Sequence, residues 1–222
     1  MMLWDPQTAA EVVPRLLRGL AVTGQVTLLA TILALCVGLA LAVASRMPSF
    51  LVRKLAHGFM EAARRTPLLI QLFFAFYVLP EVGLRLDAVV CGVLVLGLHV
   101  GCYMAEVYRA GIDGVSRGQW EAARALNYSM YRQWTEVVLP QAIPPMIPAL
   151  GNYLILMFKE SALLSAIAVL DLMGEARVFS NESYRYVEPM TLVGVFYLAI
   201  SISSAIAIRY LEYRISRSRK LS

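Results

Sequence analysis

Lysine is almost missing from this chain: 222 residues hold only Lys54, Lys159 and Lys220, and none of the three follows a glycine. A phosphate-cradling P-loop closes on Gly-Lys, so a Walker A site is excluded and any ATP hydrolysis must come from a separate chain. Histidine is scarcer still, with His57 and His99 alone, and the three cysteines, Cys36, Cys91 and Cys102, lack C-x-x-C spacing. That leaves little for metal or redox chemistry. Neither a metal nor a cofactor is expected, and the cysteines read as packing residues. Charge is sparse as well: 16% of residues are charged and 59% hydrophobic, with a mean hydropathy of +0.65. Soluble domains carry about 25% charged residues. The chain reads as a single integral membrane domain over residues 1–222, with no linker, low-complexity stretch or second domain.

Charge-free runs place the spans, because about 20 apolar helical residues cross the hydrocarbon core and a mid-bilayer charge costs roughly 2.5–3.5 kcal/mol. The longest lies between Arg18 and Arg46, with 27 uncharged residues. A run of 15, Thr66 to Pro80, is short alone and borrows helix-compatible residues from Leu51 to Met60 on the membrane surface. Further runs cover Ala88 to Ala105, Val137 to Phe158 and Pro189 to Ile208. In the fourth, Pro140, Pro144, Pro145 and Pro148 predict that a regular helix starts only near Pro145 to Pro148. It then continues through Lys159 and Glu160 or breaks there, with "SALLSAIAVL" as a second apolar piece. Five helices result, over about 19–45, 55–80, 88–109, 144–165 and 189–209, with a polar loop at 110–140.

Basic residues in the short loops set the topology. Arg46–Arg65 and the tail from Arg209 each hold five basic residues against one acid, while Glu81–Asp87 and Glu160–Glu188 are net acidic. The first pair reads as cytoplasmic and the second as external, so the N-terminus is outside and the C-terminus inside. No signal peptide is evident, since the first 18 residues balance two acids against two basics. The net charge of +5 fits cytoplasmic loops facing anionic lipid and calls for no nucleic acid.

The polar loop holds the stretch "EAARALNYSMYRQWTEVVLP", residues 121 to 140. At helical spacing Trp120, Ala123, Asn127, Met130 and Trp134 share one stripe, which predicts an amphipathic element under the membrane. Asn127 is its expected break, because asparagine tolerates a left-handed turn best after glycine. Two short helices joined by an elbow have the form needed to dock a rigid partner.

These residues carry a family resemblance. Permease subunits of ATP-binding-cassette importers share a loop of Glu-Ala-Ala, three residues, Gly, nine residues, Ile, one residue and Leu-Pro. Here Glu121, Ala122, Ala123, Asn127, Val137, Leu139 and Pro140 keep every spacing, with Asn127 in place of Gly. "RRTPLLIQLFF", "MAEVYRAGI", "RGQWEAA" and "FKESALLS" resemble the subfamily that imports polar amino acids, although Arg65 stands where that subfamily usually has glycine. "GQWEAARALN", "LPQAIPPMIPALGNYL" and "YRYVEP" resemble permeases for ectoine and hydroxyectoine. The resemblance implies an all-α membrane protein of the type I ABC importer permease fold in the bacterial inner membrane. It implies as partners a cytoplasmic ABC ATPase dimer docking on the loop, a second permease subunit, identical or homologous, and a periplasmic or lipid-anchored solute-binding protein.

Four rival signals remain. Gly114-Val115-Ser116-Arg117-Gly118 fits the G-x-S-x-G elbow of serine hydrolases, with Ser116 as nucleophile, but a membrane helix rather than a strand precedes it. Glu106 and Arg109 are three residues apart, able to pair at a helix end or to sit on a gate. Lys159, Glu160 and Ser161 interrupt the fourth span, where opposite charges either meet a zwitterionic substrate or pair with each other. A second "EAAR" at Glu61 to Arg64 lacks the later Gly and Leu-Pro and reads as a surface helix whose Arg64 and Arg65 reach headgroups. A passive channel is the alternative that needs no ATPase.

Overall fold

The structure is a computed structural model, and it describes residues 4–219, with side chains through residue 214. Arg217, Arg219 and Lys220 of the basic tail lie outside the described side chains. Every regular element among the described residues is helical.

Helix α1 (Pro6–Ala44) opens with Asp5 as its cap, the carboxylate accepting from the Gln7 backbone at 3.1 Å and the Thr8 hydroxyl at 2.7 Å, and with Pro6 in its first turn. Its 39 residues reach well beyond the 27-residue run that the charges bracket, so the first helix starts far upstream of residue 19. The extra turns bury Val12 and Leu16 against Leu172, Ala176, Phe179 and Val193. A stripe of Val26, Ala30, Ala34 and Gly38 then faces α4 (Ala88–Asp113). A Cβ on Gly38 would sit 3.0 Å from the Gly101 carbonyl, so the two backbones meet where neither carries a side chain.

The second segment is not one helix. Helix α2 (Phe50–Arg65) stops at Thr66-Pro67, since proline forces the residue before it out of the helical region. Helix α3 (Leu68–Phe73), prolonged by a π turn and a 3₁₀ turn to Val82, leaves at 105° to it. The described helices include four that are long and apolar enough to cross a membrane, or five if this bent pair is one span.

Helix α5 (Arg117–Ala125) and the single turn α6 (Met130–Arg132) form the polar loop. From α6 a π turn over Gln133–Val138 runs straight into α7 (Leu139–Glu160), which holds Pro144, Pro145 and Pro148 inside it. The expected late start near Pro145 is therefore corrected: the helix is regular from Leu139. The widened turn ahead of Pro140, in which the Leu139 N–H reaches back to the Trp134 carbonyl, makes room for the first ring. Helix α7 breaks after Glu160 into a 3₁₀ turn, Ser161–Ile167, closed by Ala168 at φ 64°. Leu164 and Ile167 of that turn are fully buried. Helix α8 (Leu172–Ser183) and α9 (Val187–Arg219) complete the chain.

Candidate functional site

The polar loop is built as a rigid elbow. At the end of α5 the Tyr128 N–H bonds the Ala123 carbonyl at 3.0 Å and the Asn127 N–H bonds the Arg124 carbonyl at 2.9 Å. Asn127 has φ 54°. This is the Schellman pattern that usually ends on glycine, and asparagine fills it here. Beyond the turn Ser129 caps α6 through the Arg132 N–H at 3.4 Å, and Gln133 donates to the Tyr128 carbonyl at 2.8 Å. Arg132 makes two bonds to Glu136, at 2.8 and 3.0 Å, and covers the Tyr128 ring.

The elbow is moored to the bundle by aromatic contact. Trp120 of α5 meets Trp134 edge to face at 5.3 Å, and Ala123 of the same helix is buried. The expected stripe ends there: Asn127 and Met130 turn to solvent, because the left-handed residue redirects the chain. On either side of the turn Leu126, Met130 and Tyr131 are exposed apolar groups at the tip of the loop, and Glu121 and Ala122 of α5 are exposed as well. The sequence pattern puts Met130 on the shared stripe and does not single out Leu126 or Tyr131, whose exposure depends on where the turn at Asn127 leaves them. Leu139 and Pro140 sit at the stem, half-buried and exposed respectively.

A second polar group lies where α1, α2 and α4 meet. Glu106 accepts both Arg109, at 3.0 Å, and Arg64 of α2, at 3.2 Å, while Arg64 also bonds Glu61 at 2.6 Å. Arg64 is thus an internal tie and not a headgroup anchor. Arg46, at the end of α1, pairs with Asp113 at 2.6 Å, just ahead of α5. Tyr103 donates to the Arg64 carbonyl at 3.2 Å, and its ring lies 5.4 Å from His99 and 5.9 Å from Tyr153 of α7. The His99 ring contacts Gln71 at 3.2 Å, and Gln71 also bonds the Ala63 carbonyl at 2.7 Å. This side-chain chain runs from the loop end into the bundle.

Lys159 and Glu160 diverge. Successive helical residues point about 100° apart, and Lys159 is exposed beside a recess lined by Asn152, Tyr153, Ile155 and Leu156. Glu160 turns inward, and its Oε2 is buried with no hydrogen-bond partner among the described residues. Of the two alternatives for these charges, mutual pairing is not what the side chains do: no ion pair joins them among the described residues. Ser161 is fully buried and bonds the Phe158 carbonyl at 2.8 Å, at the point where α7 ends.

The hydrolase motif has no support. Ser116 caps α5 between two helices. His99 is buried in α4, and among the described residues no strand precedes the motif. Among the described residues, three or more His, Cys, Asp or Glu side chains nowhere gather in a way that could hold a metal.

Long apolar helices carrying a moored polar elbow at one end define a multi-span membrane protein. Comparison with known proteins sharpens this. Residues 34–217 match the model of the binding-protein-dependent transport system inner membrane component. The chain belongs to that family, as a multi-pass inner-membrane permease subunit and not an enzyme. It is 38% identical over 209 residues to a probable amino-acid ABC transporter permease of Sinorhizobium fredii, covering 94% of this chain and 90% of the relative. It is 37% identical to a probable glutamine ABC transporter permease of Bacillus subtilis, covering 86% and 91%. The fold matches the crystal structure of an amino acid ABC transporter with histidines at a TM-score of 0.91 and 33% identity, over 96% of this chain and all of that one.

Proposed function

We propose that this chain is the permease subunit of an ATP-driven importer of amino acids or amino-acid-derived zwitterions. The observation that carries the reading is the elbow at Asn127, which presents Glu121 and the Leu126, Met130 and Tyr131 tip as one rigid knob. A knob of exposed apolar groups beside a carboxylate suits a cleft on a separate ATPase chain, and its rigidity lets ATP-driven closure move α4 and α7 with it. The likeness to amino-acid permeases supports the substrate class.

Five helices enclose too little space for a pathway, so the reading includes a second permease chain, identical or homologous. A solute-binding protein delivers substrate at the end opposite the elbow, with the N-terminus outside and the C-terminus inside. Lys159, exposed beside Asn152 and Tyr153, is the residue placed on the path, with Glu106 as part of the gate near the elbow. Within the substrate class, the segments resembling ectoine permeases support ectoine or hydroxyectoine as the specific cargo.

The test is co-purification of the tagged chain from its own cells, wild type against Glu121→Arg, followed by uptake of radiolabelled glutamine, histidine and ectoine. The reading expects an ATPase that charge reversal releases, with uptake collapsing alongside. Recovery without an ATPase would count against the reading, and uptake that survives without one would favour the passive-channel alternative.

A further inference from the structure

Helix α2 divides its circumference three ways. Ala56 and Met60 face the bundle and are buried. At 100° per residue, Leu51, Leu55, Phe59 and Ala62 share one flank, and Lys54, His57, Glu61 and Arg65 share the other. The apolar flank is open: Leu51 and Leu55 are each 64% exposed and Phe59 46%. Ahead of Glu61 the helix holds Arg53, Lys54 and His57 and no acid, and both Arg53 and Lys54 lie over the exposed ring of Phe50.

The helix is also held in a fixed attitude. It stands at 105° to the apolar segment that follows it. Arg64 ties its far end to Glu106, and the Arg46–Asp113 pair sets its start at the same end of the bundle as the α5–α6 elbow. A helix crosswise to a spanning segment, apolar on one flank and basic on the other, has the form of an element lying in the membrane interface.

We propose that α2 is an in-plane interfacial helix that binds anionic phospholipid. Leu51, Leu55 and Phe59 enter the acyl boundary, and Arg53 and Lys54 hold the phosphate-bearing headgroup. Charge complementarity selects the occupant. A second permease chain or an ATPase covering this flank has no use for two cations beside it that pair with no carboxylate among the described residues, whereas an anionic leaflet rewards each by about a fivefold gain in occupancy. The proposal rests on reading the elbow end as the cytoplasmic one, but its readout does not depend on ATPase recovery.

The full-length chain, with whatever transporter chains accompany it, is placed in nanodiscs of phosphatidylcholine and phosphatidylglycerol in equal parts. Benzoylphenylalanine replaces Leu55 in one sample and His57 in another, and adducts are read by mass after illumination. The expected result is lipid adducts at position 55, few at position 57, and phosphatidylglycerol in excess over phosphatidylcholine. Arg53→Gln and Lys54→Gln should each lower that excess about fivefold, and raising the salt should lower it in the wild type. Both side chains are exposed, so neither change disturbs packing, and the salt series tests the unaltered protein. Crosslinks from position 55 to a protein chain, or an adduct ratio of one that neither salt nor substitution changes, would overturn the proposal. Loss of the ATPase with the lipid adducts intact would instead strike at the importer reading alone.

Discussion

Arg64 lies 3.2 Å from Glu106, joining α2 to α4 across a chain separation that no local pattern spans. The same guanidinium bonds Glu61 at 2.6 Å, so one planar fork serves two carboxylates on two helices. The side chains of the interhelical pair are 24% and 34% exposed, which limits its worth to about 1 kcal/mol.

Arg64→Gln and Glu106→Gln should therefore each lower stability modestly, and the double variant should lose less than the sum. A double-mutant cycle of thermal unfolding in detergent measures this coupling. Arg64→Lys should not restore it, because a point ammonium cannot serve both acceptors in fixed geometry. Strictly additive losses would show that the contact carries no energy.

Asn127 holds φ 54° at the elbow. Asn127→Gly should be neutral or slightly stabilising, since glycine occupies this region without a Cβ penalty. Asn127→Val should cost about 1–2 kcal/mol locally and uncouple ATPase activity from uptake, because a β-branched residue resists the left-handed turn. Substrate-stimulated ATPase rates of the assembled transporter distinguish the two. Equal coupling in both variants would mean the elbow angle is irrelevant.

Trp120 and Trp134 meet edge to face and carry α5 against the α7 stem. Replacing either by leucine should weaken that mooring by about 1 kcal/mol. Uptake should fall while ATPase binding persists, since the exposed knob is unchanged but no longer rigid. Loss of ATPase binding in step with uptake would place these rings in the docking surface itself.

Lys159 and Ser161 should separate function from structure. Lys159→Gln removes an exposed charge and should cut uptake with unfolding temperature nearly unchanged. Ser161→Ala removes a buried hydroxyl bonded to the Phe158 carbonyl and should lower stability by about 1 kcal/mol while sparing substrate affinity. A Lys159→Gln variant with normal uptake would remove this residue from the path.

Asp171 caps α8 through the Gly174 N–H at 2.8 Å, and burial pushes its carboxyl up to about 7. The unfolded chain releases that proton near pH 3.9, so the native state holds the extra proton across the window between. Stability accordingly falls as pH rises from about 4 and levels off above about 7. Asp171→Asn keeps the cap and removes the titration. Its unfolding temperature should exceed that of wild type at about pH 8 and converge with it only below about pH 4, where both states of the wild type are protonated. Parallel pH profiles would exclude Asp171 as the source of the slope.

Much of the architecture follows from short-range chemistry and was legible in the residues alone. Charge-free runs mark apolar helices because a charge in hydrocarbon is expensive wherever it falls. The elbow was legible at Asn127 because a left-handed turn depends on one residue and its immediate neighbours. The absence of Gly-Lys needed no fold at all. What required the tertiary structure were relations between distant residues and the local directions that packing imposes. Arg64 reads as a headgroup anchor until α4 brings Glu106 beside it. Lys159 and Glu160 leave pairing and substrate contact both open in the sequence until helical rotation sends one to a recess and the other to the interior. The prolines of α7 forbid an early helix by propensity, yet a widened turn ahead of Pro140 admits it. The 105° bend at Thr66-Pro67 is marked by the proline, but its angle is set by the contacts on either side. Local preference acts through neighbours in sequence, whereas pairing, depth and bend angle are decided by neighbours in space.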